Sequence, residues 1–585
     1  MMGPAIILLC AALATAPQMA RGVSCGHDFD FHLVSWLDAL HSWRVGILYP
    51  HWTPSPNYGA GEPRFIFYPP LTWMLGAVLG VVLPWRFVPQ AMTFIMLAAT
   101  GFGTRALAHQ KLNAGIATLA GCAAIFSGYA LFTAYERSAY AELTGGFWVP
   151  ILLLLILRNP DGTGPTPRNL VRRALDGSTL PLTLVIAGAW LSNAPLGVML
   201  TYLAAGVALT VAALAKSWAP VLHAAVAIAL GLGLSAFFLV PAAWERRWVA
   251  IRQAVDDPGL RIENSWLFAR HPDPALELHD IELIRVSMIA VAMVALALIC
   301  MAVSRWWRRT LSAERTWWVP LGLIPVFVLL LQLPFSDPVW KLLPELRFLQ
   351  FPWRWLVVLE APMAIFFAAA VWAEAGWKRA VVFVVCGGAF LTAAGVAGIS
   401  LFQGCDSEDA VQGMLDDYNA GNGFEGTDEY APVGADNSLV ATDLPFACLV
   451  LDPAIVLGKG DAASTPDWSA DQGTCDATYP RIGEGPRASP EHMRLVAATP
   501  HSGSLVLRLR RYPAWRVRVN GIDTHPIPGR QDGLMAVPVP KGNVDLAVDL
   551  SAIAGDCAPA SVHNSLRERA AHCRAACRSA ERAGR

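Results

Sequence analysis

Residues 196–215 read LGVMLTYLAAGVALTVAALA and contain no charged side chain. A helix of about twenty apolar residues is long enough to cross the hydrocarbon core of a bilayer. Similar apolar runs occur elsewhere, the shortest and weakest being 180–192. They are 3–20, 69–84, 88–107, 114–133, 142–157, 180–192, 219–241, 282–303, 317–333, 355–373 and 379–401. The sequence therefore predicts a polytopic α-helical membrane protein.

The composition agrees with this class. Hydrophobic residues make up 55% of the 585 residues, charged residues only 15%, and the chain contains 22 Trp and 42 Pro. Trp concentrates at membrane interfaces and Pro is tolerated in spans. The net charge of −1 argues against nucleic acid as a partner. The apolar runs stop after residue 401, so we expect a transmembrane domain (1–401), a second domain (402–555) and an irregular Arg/Ala/Cys-rich tail (556–585).

Basic residues near the ends of spans predict the orientation, because Lys and Arg favour the cytoplasmic side. All the basic loops can lie on the cytoplasmic side only if one of the apolar runs near the N-terminus does not cross the membrane. The best suspect is 69–84, which follows Tyr68-Pro69-Pro70 and would be a juxtamembrane or re-entrant helix. The alternative is that it crosses and one weakly basic loop breaks the rule. With about eleven spans, the extracytoplasmic segments are 21–87, 134–141, 193–195, 242–281, 334–354 and everything after 401.

Segment 3–20 is either the first span or a signal peptide cleaved near Ala14-Thr15-Ala16. Residue 21 emerges outside in both cases. The first outer loop, 21–87, then begins with Gly26-His27-Asp28-Phe29-Asp30-Phe31-His32.

Asp28, Asp30 and His32 alternate along this stretch. In an extended segment, alternate side chains point to one side. Two carboxylates and an imidazole on one side are able to bind a divalent cation or to provide a general base. The alternative is a polar loop that enters an amphipathic helix at 31–45, with Asp28 or Asp30 as its N-cap.

The other outer loops also contain charged and aromatic side chains. Glu142 begins an apolar run and is costly if it faces lipid, so we expect it to face a cavity, although snorkelling to water is the simpler reading. Arginines interleaved with aromatics in 347–355 suit the binding of a lipid phosphate with a sugar ring, or serve as an interfacial anchor. The substrate-binding candidates are His32, Glu62, Arg64, Tyr68, Glu136, Arg137, Glu142, Trp353 and Arg354.

The second domain shows strand-like alternation. Ser504 to Arg510 and Tyr512 to Gly521 alternate, and Asn520-Gly521 is a hairpin signal. A second pair of strands is predicted at 534–538 and 544–550. This indicates an antiparallel β-sandwich or a similar fold that covers the outer face or binds a polymer or partner. Cys25, Cys405, Cys448 and Cys475 lie in exported segments, and their pairing is not fixed by the sequence.

Together, these motifs resemble the GT-C superfamily of multi-spanning glycosyltransferases, which take sugars from polyprenyl-phosphate carriers. The chain is similar over residues 20–550 to bacterial membrane proteins labelled "6-pyruvoyl-tetrahydropterin synthase-related" and to YfhO-type proteins. The family patterns GxDxxxH, NYGxGxPxFxFYPPL and YxRxAxxE resemble 26–32, 57–71 and 135–142, and PxW-x-V-x-V-(N/D)-G resembles 512–521. The label implies no pterin chemistry.

The resemblance implies a GT-C-like fold in the bacterial cytoplasmic membrane with an extracytoplasmic C-terminal β-rich domain. It implies transfer of a sugar from a polyprenyl-phosphate carrier to an envelope glycan, lipid or protein. One of Asp28 and Asp30 would activate the acceptor, and the other would orient it or hold a divalent cation, Mg²⁺ or Mn²⁺. Arg137, Arg354 or Arg64 would neutralise the departing phosphate.

Two alternatives remain open. The first is a non-catalytic transporter or flippase for lipid-linked glycans, and the second is a scaffold whose β-domain binds envelope polymer. A transporter is expected to hold ionisable groups deep inside several spans that are related by an internal repeat. We expect neither a repeat nor an acid at mid-span, which favours the enzyme.

Overall fold

The computed structural model describes residues 2–158, 179–311, 314–373, 376–442, 445–451, 456, 475–479 and 489–550. The middle of the basic loop 158–173 and the predicted tail 556–585 lie outside these residues.

Most of the described chain is helical up to residue 401. The described helices of ten residues or more are Met2–Arg21, Phe29–Arg44, Pro70–Val82, Val88–Ala108, Ala114–Ile125, Gly145–Leu157, Leu180–Ser192, Ala194–Ala215, Ala219–Leu234, Ala236–Glu245, Glu277–Ala302, Arg315–Leu331, Leu356–Val371, Trp377–Val396 and Val411–Ala420.

Eight helical stretches in the described part of the chain are long and apolar enough to cross a membrane, and two bent pairs raise the number to ten. The bent pairs are Ala219–Leu234 with Ala236–Glu245, at 70°, and Arg315–Leu331 with Pro334–Leu342, at 95°. Two of the predicted candidates, 69–84 and 180–192, form isolated helices of only 13 residues, Pro70–Val82 and Leu180–Ser192. Thirteen residues extend about 20 Å, less than the hydrocarbon thickness. The predicted number of about eleven spans therefore remains a prediction.

Small residues allow the spans to approach one another closely. A Cβ on Gly121 would lie 2.5 Å from the carbonyl oxygen of Gly101 on the neighbouring helix. Membrane helices commonly associate through such small residues, because lipid provides no hydrophobic drive between them. This contact joins Val88–Ala108 to Ala114–Ile125.

The C-terminal region contains eight described strands in two antiparallel four-stranded sheets. The sheet orders are β2-β1-β4-β7 and β3-β8-β5-β6. The strands are β1 Ala447–Val450, β2 Ala477–Tyr479, β3 His492–Thr499, β4 Gly503–Arg510, β5 Trp515–Val519, β6 Ile522–Thr524, β7 Leu534–Val539 and β8 Gly542–Leu550.

The strands lie close to the predicted positions, but their pairing differs, since β4 and β5 lie in different sheets, as do β7 and β8. Asn520 and Gly521 both have positive φ, 52° and 80°, and form the predicted hairpin between β5 and β6. β7 and β8 are not a pair: β7 pairs with β4, whereas β8 pairs with β3 and β5. The chain crosses from one sheet to the other between them, which buries the inward-facing residues of both sheets.

A disulfide and an aromatic contact join the C-terminal region to the first outer loop. A disulfide joins Cys25 to Cys405, and a second joins Cys448 to Cys475 within the β region. The buried Trp52 packs edge-on against Trp515 at 5.0 Å between ring centroids. These contacts hold the β region against the face on which the acidic stretch lies.

Candidate functional site

The acidic stretch opens a helix rather than an extended strand. The helix begins at Phe29 and ends at Arg44, with Asp28 at its N-cap position but without a capping hydrogen bond from its side chain. Side chains four residues apart share a helix face, whereas side chains two apart project in roughly opposite directions. Asp28 and His32 therefore share a face, and Asp30 is exposed elsewhere. The prediction that all three point to one side is wrong, and the helical alternative describes the segment.

Gly26 brings this helix start against the second outer loop. A Cβ at Gly26 would lie 2.4 Å from the carbonyl oxygen of Glu136, so only glycine permits the approach. The backbone N–H of Asp28 donates to the carbonyl oxygen of Arg137 at 2.9 Å, and that of Gly26 donates to Ser138 Oγ at 3.1 Å. Two loops far apart in sequence thus form one surface.

Arg137 lies at the centre of the resulting cluster. Its side chain is only 4% exposed and donates to Glu142 Oε2 at 2.8 Å. Its other nitrogens lie 3.5 Å from Asp28 Oδ2 and 3.9 Å from Glu282 Oε1. Burial lowers the pKa of Arg137, but the three carboxylates outweigh it and hold the pKa above its ordinary value. Arg137 is therefore a buried, permanent cation beside Asp28, whose side chain is 38% exposed.

Glu142 links Arg137 to the fifth outer loop. Its Oε2 lies 3.3 Å from Nε of Arg354, and Oε1 accepts a hydrogen bond from the Tyr129 hydroxyl. The guanidinium groups of Arg137 and Arg354 both lie over the ring of Phe351, at 5.6 and 5.2 Å. Glu142 is 3% exposed and lies among protein side chains. That it faces a cavity remains a prediction.

Trp353 packs against the Phe351 ring that lies beside the two arginines. Its ring stacks on Phe351 with 4.3 Å between centroids, and the side chain is 1% exposed. The stretch 347–355 thus does place aromatics against arginines.

Glu136 belongs to the same surface but has a different partner. It accepts from Arg285 Nη1 at 2.5 Å, and burial raises the pKa of its carboxyl while Arg285 opposes that shift. His27 Nδ1 lies 3.8 Å from Glu282 Oε2. Sequence reasoning missed Glu282 and Arg285, which occupy the N-terminal end of the span predicted at 282–303. The sequence feature that could have indicated them is a pair of charged residues about one helical turn apart at the start of an apolar run.

His32 lies below Asp28 in an aromatic environment. It is 1% exposed, and neither ring nitrogen has a hydrogen-bond partner among the described residues. Its ring lies 5.2 Å from Tyr140 and 6.0 Å from Tyr68. Burial lowers the pKa of His32 to about 4, so the imidazole is neutral at physiological pH. Tyr68 is half-buried and also contacts the ring of Phe31.

Glu62 and Arg64 form a separate network beneath the C-terminal region. They pair at 2.7 Å and are 1% and 2% exposed. Arg64 also donates to Ser35 Oγ at 3.0 Å, and the backbone N–H of Thr427 donates to Glu62 at 2.9 Å. Because these groups are buried and satisfied by each other, this pair connects the first outer loop to the C-terminal region.

The expectation of no acid at mid-span is wrong. Glu360 lies inside the helix Leu356–Val371 and is 3% exposed. It lies close to the helix Gly145–Leu157, since a Cβ on Gly146 would lie 3.1 Å from its Oε2. A single Glu within an apolar run was visible in the sequence and was overlooked.

The predicted Mg²⁺ or Mn²⁺ site does not fit these side chains. Among the described residues, no group of three His, Cys, Asp or Glu side chains is arranged to hold a metal ion. Asp28 and Asp30 project apart from the helix, and Asp28 already faces the Arg137 guanidinium.

No protein-family model matches the chain, and no curated protein matches it significantly. Among solved structures, the chain is similar to the oligosaccharyltransferase of Archaeoglobus fulgidus without ligand. That match has a TM-score of 0.42 and 11% identity and covers 74% of this chain and 61% of that one.

The arabinofuranosyltransferase AftD from mycobacteria gives a TM-score of 0.41 and 16% identity, covering 71% of this chain and 28% of AftD. The archaeal oligosaccharyltransferase AglB from A. fulgidus with an inhibitory peptide and a dolichol-phosphate gives 0.35 and 12%, covering 73% and 61%. The chain thus spans less than two thirds of each of these proteins. All the TM-scores are below 0.5, so these similarities do not support an inference about function. A function for this chain is inferred from the side chains of the Arg137 cluster instead.

Proposed function

We propose that this protein is a membrane glycosyltransferase that moves a sugar from a polyprenyl-phosphate carrier to an envelope glycan, lipid or protein acceptor. The proposed location is the extracytoplasmic face of a bacterial cytoplasmic membrane. The observation that carries the proposal is the pairing of an accessible carboxylate, Asp28, with two largely buried cations, Arg137 and Arg354, on either side of Glu142.

This arrangement suits displacement at an anomeric carbon. Asp28 accepts the proton of the acceptor hydroxyl, whose oxygen bonds to the anomeric carbon of the donor sugar. The bond from that carbon to the carrier phosphate breaks, and the phosphate leaves with the electron pair. Arg137 and Arg354 stabilise the charge that develops on the phosphate, because fixed cations act most strongly where water is excluded. A single displacement inverts the anomeric configuration.

The candidate residues other than the two arginines have separate roles under this proposal. Asp28 is the general base, and Asp30, exposed on another side of the helix, lies outside the reacting site. Trp353 supports the Phe351 ring beside the two arginines, and Glu136 with Arg285 borders the opposite side. Glu62, Arg64, His32 and Tyr68 support the helix that carries Asp28.

The cysteines support an extracytoplasmic site. Both disulfides lie in segments assigned to the outside, and the described free cysteines, Cys10, Cys122, Cys300 and Cys386, all lie in apolar helices. Disulfides persist in oxidising compartments and are rare in the cytoplasm. The face that carries Cys25 and Asp28 is therefore expected to be exported.

The test is a transfer assay on purified protein reconstituted in lipid. Polyprenyl-phosphate sugars are the donors, and product is scored as labelled acceptor together with free polyprenyl phosphate. The Asp28→Asn/Asp30→Asn double variant is expected to lose transfer. Equal transfer by wild type and the double variant would refute a catalytic role for these carboxylates.

Glu360 favours one rival, a transporter for lipid-linked glycans, because a buried acid inside a span is costly and commonly functional. In a flux assay with labelled lipid-linked sugar in vesicles, a transporter moves the intact donor across the bilayer. Movement of intact donor that depends on Glu360 and occurs without sugar transfer would replace the enzyme proposal.

A further inference from the structure

A second charged site lies outside the Arg137 cluster, in a groove between the end of one bent span and the loop after another. The groove has a volume of about 710 Å³. Five cationic side chains and one acidic side chain contribute to its wall: Arg246, Arg247, Arg252, Lys341, Arg347 and Glu345. We call it the cationic groove.

Lys341 is paired with Asp337 at 2.7 Å, whereas the arginines of the groove have only solvent-exposed ion pairs or none among the described residues. Arg246 lies 3.5 Å from Glu345, and both side chains are about half exposed, at 52% and 50%. Arg347 lies 3.3 Å from Glu263 with 44% exposure. Such solvent-exposed pairs contribute little energy and are readily exchanged for another anion. Arg252 has no ion pair within the part of the chain that the structure describes.

The groove is also apolar on one side. Leu342, Leu343 and Phe348 line it, and Leu342 is 80% exposed. Exposed apolar side chains continue from it along the two bent spans, including Trp244 at 45% and Phe335 at 64%. Cations directly beside exposed apolar helix ends are typical of the level of lipid headgroups.

Two residues in the loop that contains Arg347 have an unfavourable backbone conformation. Glu345 and Gln350 have φ of 58° and 64°, and between them a single turn, Leu346–Leu349, carries Arg347 and Phe348. Non-glycine residues rarely adopt this backbone conformation, and such residues cluster at ligand sites. The same reversal divides the stretch 347–355, so that Arg347 faces the groove while Arg354 faces the Arg137 cluster.

We propose that the cationic groove binds the phosphate headgroup of a membrane lipid, with the lipid chains lying against the exposed apolar side chains. Arginine matches a phosphate because its planar fork donates two hydrogen bonds at once. The ligand is an amphiphile with a phosphate, which is either a bilayer phospholipid or a polyprenyl phosphate. This site does not depend on sugar transfer at Asp28.

The test compares lipid binding by two triple variants. Arg246→Gln/Arg252→Gln/Arg347→Gln removes three cations from the groove, and Arg494→Gln/Arg516→Gln/Arg518→Gln removes three from the β3-β8-β5-β6 sheet, at positions that do not line the groove. Binding of phosphatidylglycerol, polyprenyl phosphate, phosphatidylcholine and inorganic phosphate is measured by native mass spectrometry in detergent. Each cation near an anionic lipid contributes about fivefold, so the groove variant is expected to bind on the order of a hundredfold more weakly.

The sheet variant is expected to bind either anionic lipid as the wild type does, and the stronger of the two lipids identifies the source. Equal weakening in both triple variants, no weakening in the groove variant, or equally strong binding of inorganic phosphate would overturn the proposal. Arg252→Glu serves as a single-site variant at an exposed position, and Asp28→Asn is expected to bind lipid normally. A failure of the groove is therefore distinguishable from a failure of the catalytic proposal.

Discussion

Replacing Arg137 by Gln tests the charge balance of the cluster most sharply. The change leaves Glu142 without its 2.8 Å partner in a site where both side chains are 4% exposed, and it also removes the cation near Asp28 and Glu282. Removing one member of a buried ion pair costs about 3–5 kcal/mol, because the remaining charge is not solvated. We expect the free energy of unfolding, measured by denaturant titration in detergent micelles, to fall by about that amount.

A double variant separates charge from packing. Because Arg137 and Glu142 interact directly, the losses from Arg137→Gln and Glu142→Gln should not add: the double variant should be at least about 1 kcal/mol more stable than the sum of the two single changes predicts. Arg494→Gln, whose side chain is 66% exposed, is the control and should change stability little. A loss no larger than that of the control, or strictly additive losses in the double variant, would refute the buried-cluster description.

Three further variants test the surroundings of the site. Gly26→Ala should destabilise the protein by about 1–3 kcal/mol, because its Cβ would meet a backbone carbonyl at 2.4 Å; Gly206→Ala, with nothing within 4 Å, should not. The pKa of His32 is lowered from 6.5 to about 4, so its neutral form stabilises the fold above pH 6.5 and this contribution is lost as the pH falls towards 4. His32→Phe should therefore remove about 2 kcal/mol of the destabilisation seen at pH 5. Replacing both Cys25 and Cys405 by Ser should cost about 2–5 kcal/mol, measured as thermal unfolding, and should abolish part of the sensitivity to reductant.

Each of these three predictions would be contradicted by a specific result. Equal stability of the two alanine variants would mean that the two outer loops are not in contact at Gly26. Parallel pH–stability curves for wild type and His32→Phe would mean that the imidazole is not buried. Unchanged melting of the double serine variant would mean that Cys25 and Cys405 are not joined.

The sequence was sufficient for the membrane class and for most of the strands. Long apolar runs have one stable solution in lipid, because every backbone polar group must be satisfied within the helix. The Asn520-Gly521 turn was equally direct, since it needs two consecutive residues with positive φ. The strand partners of β7 and β8 were not accessible, because pairing depends on contacts across the whole C-terminal region.

The candidate site was predicted only in part. Arg137, Glu142 and Arg354 were selected from their positions at span ends, and the structure brings them together. Alternation in Asp28-Phe29-Asp30 was interpreted with the period of a strand, whereas the apolar residues after it have the period of a helix. Glu282 and Arg285 were missed because a span was treated as apolar throughout. Burial and long-range pairing, which decide the partners of each charge, are properties of the fold.

The most direct test of the catalytic proposal compares Asp28→Asn with Asp30→Asn as single variants of equal stability. Sugar transfer from a polyprenyl-phosphate donor is measured under single-turnover conditions. Because a general base contributes about 10²–10⁴-fold, Asp28→Asn should slow transfer by at least about a hundredfold. Asp30→Asn, whose side chain is exposed on another side of the helix, should stay within about threefold of wild type, far below the effect of losing a general base. Similar rates for the two variants, or a greater loss in Asp30→Asn, would contradict the assignment of Asp28 as the base.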